Sequence, residues 1–273
     1  MQLATLLSNH FVMPSMPRVM ALLLLELDKP DPNLRRIDQL LSVDPGLAVR
    51  VLQAANTGYF KLTGQVHSVT EALAILRMAQ VRSLVASSVS QASVTAVPGM
   101  PMPQFWRYSL DAARVARSLA GLVRLNQQAA FTCGLIHAVG ELAMRMAMTQ
   151  AVTLDADAEP LDMRRERVER KVFGFSYTEV SAWLARQWQL PQVISNALEL
   201  AHAPFDNEAY EPLAGVLHLA AWRARARHAR LPQNAMTVTF PSLVAEVLGL
   251  DIDMVLQQDP IDWGAQMPGR PLI

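Results

Sequence analysis

The sequence predicts an all-α protein of about a dozen helices with no sheet. Three observations carry that expectation. Capping residues recur ahead of apolar stripes spaced three and four apart, and long stretches rich in Ala, Leu, Met and Arg run without internal proline. Strand-like character is confined to one short segment, Met236 to Phe240.

Taken in order, Val19 to Leu25 (VMALLLL) is closed by Glu26 and Asp28 and is far shorter than the ~20 residues a bilayer needs, so it reads as a core helix. Asn33 stands as a cap before Leu34, Ile37, Leu40 and Leu41, which form one helical stripe. Asp44-Pro45 offers a cap and a first-turn proline whose missing N–H costs nothing there, and the helix it opens runs toward Asn56. Asn56-Thr57-Gly58 has the residue types of a helix end with a left-handed turn, under which Tyr59 and Phe60 would tuck. Ser68 to Glu71 and Ser176 to Glu179 share the S-x-x-E spacing, in which serine and glutamate satisfy each other's orphan N–H groups; helices should begin at both. Phe105 to Leu125 and Ala129 to Gln150 read as two long central helices separated by the polar turn Asn126-Gln127. Trp188-Gln189-Leu190-Pro191 ends one helix and begins the next, and Pro212 and Pro241 also stand where first-turn prolines belong.

Composition narrows the function classes. The 273 residues are 51% apolar and 18% charged, which excludes disorder, and 24 basic against 24 acidic residues argue against a dedicated polyanion binder. The one cysteine, Cys133, can make neither an internal disulfide nor a cysteine-only metal site, which fits a reducing compartment. The first residues lack a basic segment and a cleavage signal, so the cytoplasm is the expected location and no membrane partner is expected. Residues 1–12 read as a leader or short helix, 13–205 as the main helical domain, and 206–273 as a helical segment packed on the same core. Val97 to Pro103 has hinge composition and would divide a front half from a back half; Pro204 to Pro212 is a second such place.

The commonest enzyme signatures are missing: there is no H-E-x-x-H, P-loop, G-x-S-x-G or G-x-G-x-x-G. No cofactor is expected. His137 is expected as a buried imidazole bonded to a backbone carbonyl or to Glu141, and Cys133, four residues earlier on the same face, as a small core residue. Met144 and Met148 have interior helical spacing, which leaves Met100 and Met102 as candidate partner contacts. Arg223, Arg227 and Arg230 would share one helix face able to grip a phosphate or an acidic partner, although a solvated face is the plainer reading. Overall neutrality and the lack of interleaved aromatics argue against nucleic acid. Arg164-Arg165-Glu166-Arg167 with Glu169-Arg170-Lys171 interleaves signs and reads as a self-paired surface.

Phe131 to Leu142 (FTCGLIHAVGEL) resembles the central helix of HD-type phosphohydrolases, written there G-L-L-H-D-I-G-K-L, in which adjacent His and Asp ligate a metal. Here His137 is followed by Ala138, whose methyl group offers no lone pair. Further matches follow in order: Met13-Pro14-Ser15-Met16-Pro17, Asp44-Pro45-Gly46-Leu47-Ala48 through Tyr59-Phe60, Ser68 to Leu76, Phe105 to Ser109, Phe173 to Tyr177, and Trp188 to Pro191. Together these resemble the HDOD family, the HD-related output domains of bacterial signalling. The resemblance implies an N-terminal helical subdomain packed on a degenerate HD-type bundle. In its register Tyr108 stands where an HD hydrolase has its first histidine ligand, Tyr177 where a later family histidine follows Gly-x-Ser, and alanine where the last aspartate falls near Leu217 to Ala221. With His137 left as a vestigial position, no metal and no catalysis are expected. What the resemblance implies is a non-catalytic output or interaction module whose partners are signalling proteins or a regulatory small ligand; the Pro-rich junction at 98–103 and the site around His137 place the expected groove for a partner helix or ligand between the front bundle and the HD-type bundle. Two alternatives stay open: a residual metal-dependent phosphohydrolase acting on nucleotides or cyclic dinucleotides, and phosphate or nucleic-acid binding through the arginines of 223–230.

Overall fold

The computed structural model describes residues 11–57, 66–91, 96–205 and 210–258. Among them the chain is helical, and extended pairing is limited to one isolated bridge between Val97 and Met100. The front half contains α1 (Pro17–Leu27), α2 (Leu34–Val43), α3 (Pro45–Asn56), α4 (Val69–Ile75) and α5 (Met78–Gln91). The back half contains α6 (Met102–Leu122), α7 (Gln127–Ile136), α8 (Val139–Ala147), α9 (Thr149–Thr153), α10 (Arg165–Phe173), α11 (Tyr177–Gln187), α12 (Gln192–Leu200) and α13 (Pro212–His228). Three short helices follow: α14 (Gln233–Thr239), α15 (Ser242–Val247) and α16 (Ile252–Leu256). None of the described helices is long and apolar enough to cross a membrane.

The caps act where the residue types place them. Asn33 accepts the N–H of Arg36 at 3.0 Å, and Asn126 accepts those of Gln128 and Ala129 at 2.9 and 3.0 Å. Ser68 accepts the N–H of Glu71 at 3.2 Å, but the Glu71 carboxylate takes the N–H of His67 at 2.8 Å, so this box is offset by one residue. At α11 the Glu179 carboxylate accepts the Ser176 N–H at 2.7 Å. Asp44 does more than cap: one oxygen accepts Leu47 N–H at 2.9 Å and the other accepts Met16 N–H, which ties the opening Pro14–Pro17 segment to the start of α3. Asp44 is completely buried. Asp44→Ala would remove a cap and strand the Met16 N–H away from water, so a loss of about 2–4 kcal/mol is expected in urea denaturation.

One continuous apolar cluster runs from Met13 to Val255. Its spine is α6, which packs against α7 and α13, while α11 packs on α12 and α8. Alanines 112, 113, 116 and 120 of α6 are fully enclosed and let neighbouring helices approach closely.

Several sequence expectations are corrected. The single helix expected over Ala129 to Gln150 is broken into α7, α8 and α9, with His137 and Ala138 between the helices at the first break, where Ala138 leaves helical geometry, and Met148 at the second. Met236 to Phe240 is not extended: Met236 to Thr239 belong to α14, and Phe240 packs edge-on against Trp222 with ring centroids 5.3 Å apart. The charged run at 164–171 is not all surface, since Arg165, Glu166 and Glu169 are buried. Gly58, Tyr59 and Phe60, where a turn with tucked aromatics was expected, lie outside the described residues, as do residues 1–10, 206–209 and 259–273.

Candidate functional site

The break between α7 and α8 creates the site. Ser181 of α11 bridges it: its hydroxyl donates to the His137 carbonyl at 2.9 Å and accepts the Gly140 N–H at 2.8 Å, satisfying two backbone groups the interrupted helix leaves open. Both glycines of the segment are required by close approach. A Cβ on Gly134 would lie 2.5 Å from the Ala113 Cα, and one on Gly140 would lie 2.1 Å from the Tyr177 carbonyl oxygen.

His137 is 4% exposed and held at both ring nitrogens. Nδ1 lies 2.7 Å from the Gly134 carbonyl, which can only accept, so Nδ1 carries the proton. Nε2, 2.8 Å from the Tyr108 hydroxyl, therefore accepts from it. The imidazole lone pair that a metal would need is already engaged. Glu141, the other partner expected for His137, is turned instead toward Arg145 at 3.1 Å. Cys133 is buried without a thiolate-stabilising neighbour, and burial pushes its thiol up.

Tyr108 and Tyr177, assigned from the resemblance to former ligand positions, do converge here. They are joined by a residue that sequence reasoning missed. Arg225 of α13 donates from Nη2 to the Tyr177 hydroxyl at 2.7 Å and lays its guanidinium over the Tyr108 ring at 5.6 Å. Burial opposes its charge, but the two tyrosines and Glu141 hold its pKa above the ordinary arginine value. Burial likewise pushes both tyrosine hydroxyls up, so they stay neutral. A signal for Arg225 exists in the sequence: His218, Ala221, Trp222 and Arg225 form an i, i+3, i+4, i+7 stripe, and that stripe faces inward with Trp222 at its centre.

The residues do not fit a divalent cation. The imidazole lone pair is occupied, Ala138 offers no donor, the phenols are neutral, and a fixed positive charge stands beside them. Among the described residues no group of three or more His, Cys, Asp or Glu could hold a metal ion.

The other candidate residues are scattered. Met100 and Met102, left as partner contacts, are buried at 7% and 5% exposure, a correction that follows from their packing in the central cluster. Met144 and Met148 are interior, as their spacing suggests. Arg223, Arg227 and Arg230 do not share a helix face, because α13 ends at His228 and Arg230 lies beyond it with φ +50°. Arg223 donates to the Leu256 carbonyl at 3.2 Å, and Arg227 is exposed. The 97–103 junction is pinned, with Arg145 Nη1 3.3 Å from the Pro98 carbonyl.

A cavity of about 290 Å³ opens beside His137, bounded by the start of α11, the inward stripe of α13, Met163 and Pro241. Burial drives the His137 pKa down to about 3, with the Arg225 charge acting in the same direction. The folded protein thus leaves His137 neutral where the unfolded chain, with an ordinary value near 6.5, takes up a proton. Stability is full above about pH 6.5 and falls as pH drops from there toward 3. At pH 5 this histidine accounts for a loss of about 2 kcal/mol. Buried carboxylates such as Glu169 shift stability the opposite way over the same range, so the histidine is isolated by difference: between pH 7 and pH 5, urea titrations should show His137→Gln gaining about 2 kcal/mol on the wild type.

Comparison with known proteins agrees with this architecture. The family model for the HDOD domain matches residues 13–204. The crystal structure of the MmoQ response regulator from Methylococcus capsulatus str. Bath superposes with a TM-score of 0.72 at 25% identity, covering 90% of this chain and 96% of that one. A protein from Shewanella amazonensis SB2B, named for a proposed phosphohydrolase activity, superposes with a TM-score of 0.52 at 26% identity, covering 90% of this chain and 89% of its own. An uncharacterized protein of Treponema pallidum (strain Nichols) is 23% identical over 214 residues, 76% of this chain; the match spans 41% of that relative's length. With fold, motif order and family model in agreement, the chain belongs to the HDOD domain family.

Proposed function

We propose that this protein is a non-catalytic module of signal transduction, which works by binding rather than by turnover. One observation carries the reading: the histidine that would have to ligate a metal gives its lone pair to the Tyr108 hydroxyl, with the Arg225 guanidinium stacked on the same ring. A divalent ion there would have to displace a buried hydrogen bond and sit beside a fixed cation in a low-dielectric interior, where like charges repel strongly. The likeness to a response regulator supports a signalling role, and the inputs and partners are then other proteins or small ligands. The likeness to a protein named for phosphohydrolase activity supports the competing enzymatic reading, so metal content and turnover separate the two. Elemental analysis after incubation with Mn²⁺, Fe²⁺ or Mg²⁺ should find substoichiometric metal, and bis(p-nitrophenyl) phosphate should be hydrolysed no faster than in buffer. One metal per chain, with turnover lost in His137→Ala, would sink the proposal.

A further inference from the structure

We propose that the cavity beside His137 binds the carboxylate of a small organic monoanion, with Arg225 as its charge partner. Arg225 carries a charge that no adjacent carboxylate matches. Arg225 has no carboxylate within 4.0 Å among the described residues; its contacts are the Tyr177 hydroxyl and the Tyr108 ring. Its Nε is enclosed and has no hydrogen-bond partner. The neighbouring arginines differ in this respect: Arg145 lies 2.6 Å from Asp155, and Arg165 lies 2.9 Å from Glu169. Arg225 is half-buried, and a guanidinium partly withdrawn from water without an adjacent counter-ion is costly, a cost that an incoming anion lowers.

The other walls define what the anion is attached to. His218 holds its Nδ1 2.8 Å from the Ala201 carbonyl, so Nδ1 donates and Nε2 keeps a lone pair. Burial keeps this ring neutral, with its pKa down at about 4, so it adds no second positive charge. His202 is engaged with Glu166 at 2.9 Å. Asp162, Glu141 and Glu166 surround the region with negative charge at longer range. One unmatched cation inside a mildly acidic surround matches a single negative charge better than a phosphoryl dianion. Trp222, Met163 and Pro241 offer apolar surface for the body of the ligand. A volume of about 290 Å³ is at the small end for ligand sites, which suits a compact acid rather than a dinucleotide. A second, outer cleft of about 370 Å³ shares His202, His218 and Pro241 with it and reaches the surface at Phe205 and Leu243, both exposed, providing a route in.

The inference goes beyond the non-catalytic reading, which the metal and turnover measurements test separately. The full chain, labelled with ¹⁵N, is titrated with sodium benzoate, benzamide and inorganic phosphate at constant ionic strength, while the Arg225 Nε–H and Trp222 Nε1–H resonances are followed. Benzoate should shift both saturably with a midpoint of about 1 mM or tighter, and neither benzamide nor phosphate should saturate in that range. Arg225→Gln should weaken benzoate at least tenfold, whereas Arg227→Gln, on the exposed side of the same helix, should leave it unchanged. Benzamide binding as well as benzoate would show that charge is not read, and preferred saturation by phosphate would show that the class is wrong. No saturable shift with benzoate would overturn the site outright. The wild-type comparison of benzoate with benzamide decides the matter even if Arg225→Gln fails to fold.

Discussion

Arg165→Met should lower the free energy of unfolding by about 3–5 kcal/mol, the cost of removing one partner from a buried ionic network. Arg165 is completely enclosed. Its Nε lies 2.9 Å from Glu169 and 3.8 Å from Glu141, its Nη1 lies 2.7 Å from Asp155 and 2.8 Å from the Ala158 carbonyl, and its Nη2 bonds the Ala151 carbonyl. Methionine fills comparable space but leaves Glu141 with Arg145, Glu169 with only the Tyr177 N–H, and two carbonyls without the arginine donor. Burial and the Glu141 charge already raise Glu169 to about 7, against the opposing pull of Arg165. Without Arg165 it rises further, so the folded state holds a proton that the unfolded chain releases above about pH 4.5. The deficit of the variant should therefore stay nearly constant from pH 5 to about 7, where both folded states hold the proton, and grow above about pH 7. Urea midpoints across that range check both claims, and Arg167→Met, on the exposed side of α10, should change stability by no more than about 0.5 kcal/mol.

Gly140→Ala is expected to cost about 3 kcal/mol, which for a chain of this size corresponds to roughly 6–12 °C in thermal midpoint. The added methyl would meet the Tyr177 carbonyl oxygen at 2.1 Å and the Ser181 nitrogen at 2.7 Å. Both are backbone atoms, so relief requires α8 and α11 to separate and the Ser181 bridge across the helix break to open. Gly121→Ala provides the contrast. Its methyl would meet only the mobile end of Gln127 at 3.2 Å, and replacing glycine inside α6 removes a conformational penalty of about 0.5–1 kcal/mol. A calorimetric comparison in which Gly140→Ala melts with Gly121→Ala would contradict the close-approach argument.

Much of this architecture was legible in the linear chain because its cues are local. Asn33, Asp44-Pro45, Ser68 and Ser176 announce helix starts through groups at most three residues away, and each start is found within a residue of its cue. The break after His137 was not legible. It depends on Ser181, 44 residues further on, supplying a donor and an acceptor to backbone groups of another helix. Nor did alternating charges at 164–171 disclose that Arg165 and Glu169 point inward, since the partner Glu141 lies on α8.

The chain by itself determined, through composition and spacing, that this is a helical protein, and its ordered motifs carry the resemblance to the HDOD family, which implies that alanine and tyrosine stand where the related hydrolases need metal donors. Only the tertiary structure decided what fills the altered centre. A tyrosine from α6 takes the histidine lone pair, and an arginine from α13, over a hundred positions away, brings the charge. Helical periodicity gives each side chain a face, but which faces meet is settled by the packing of distant helices around a shared core.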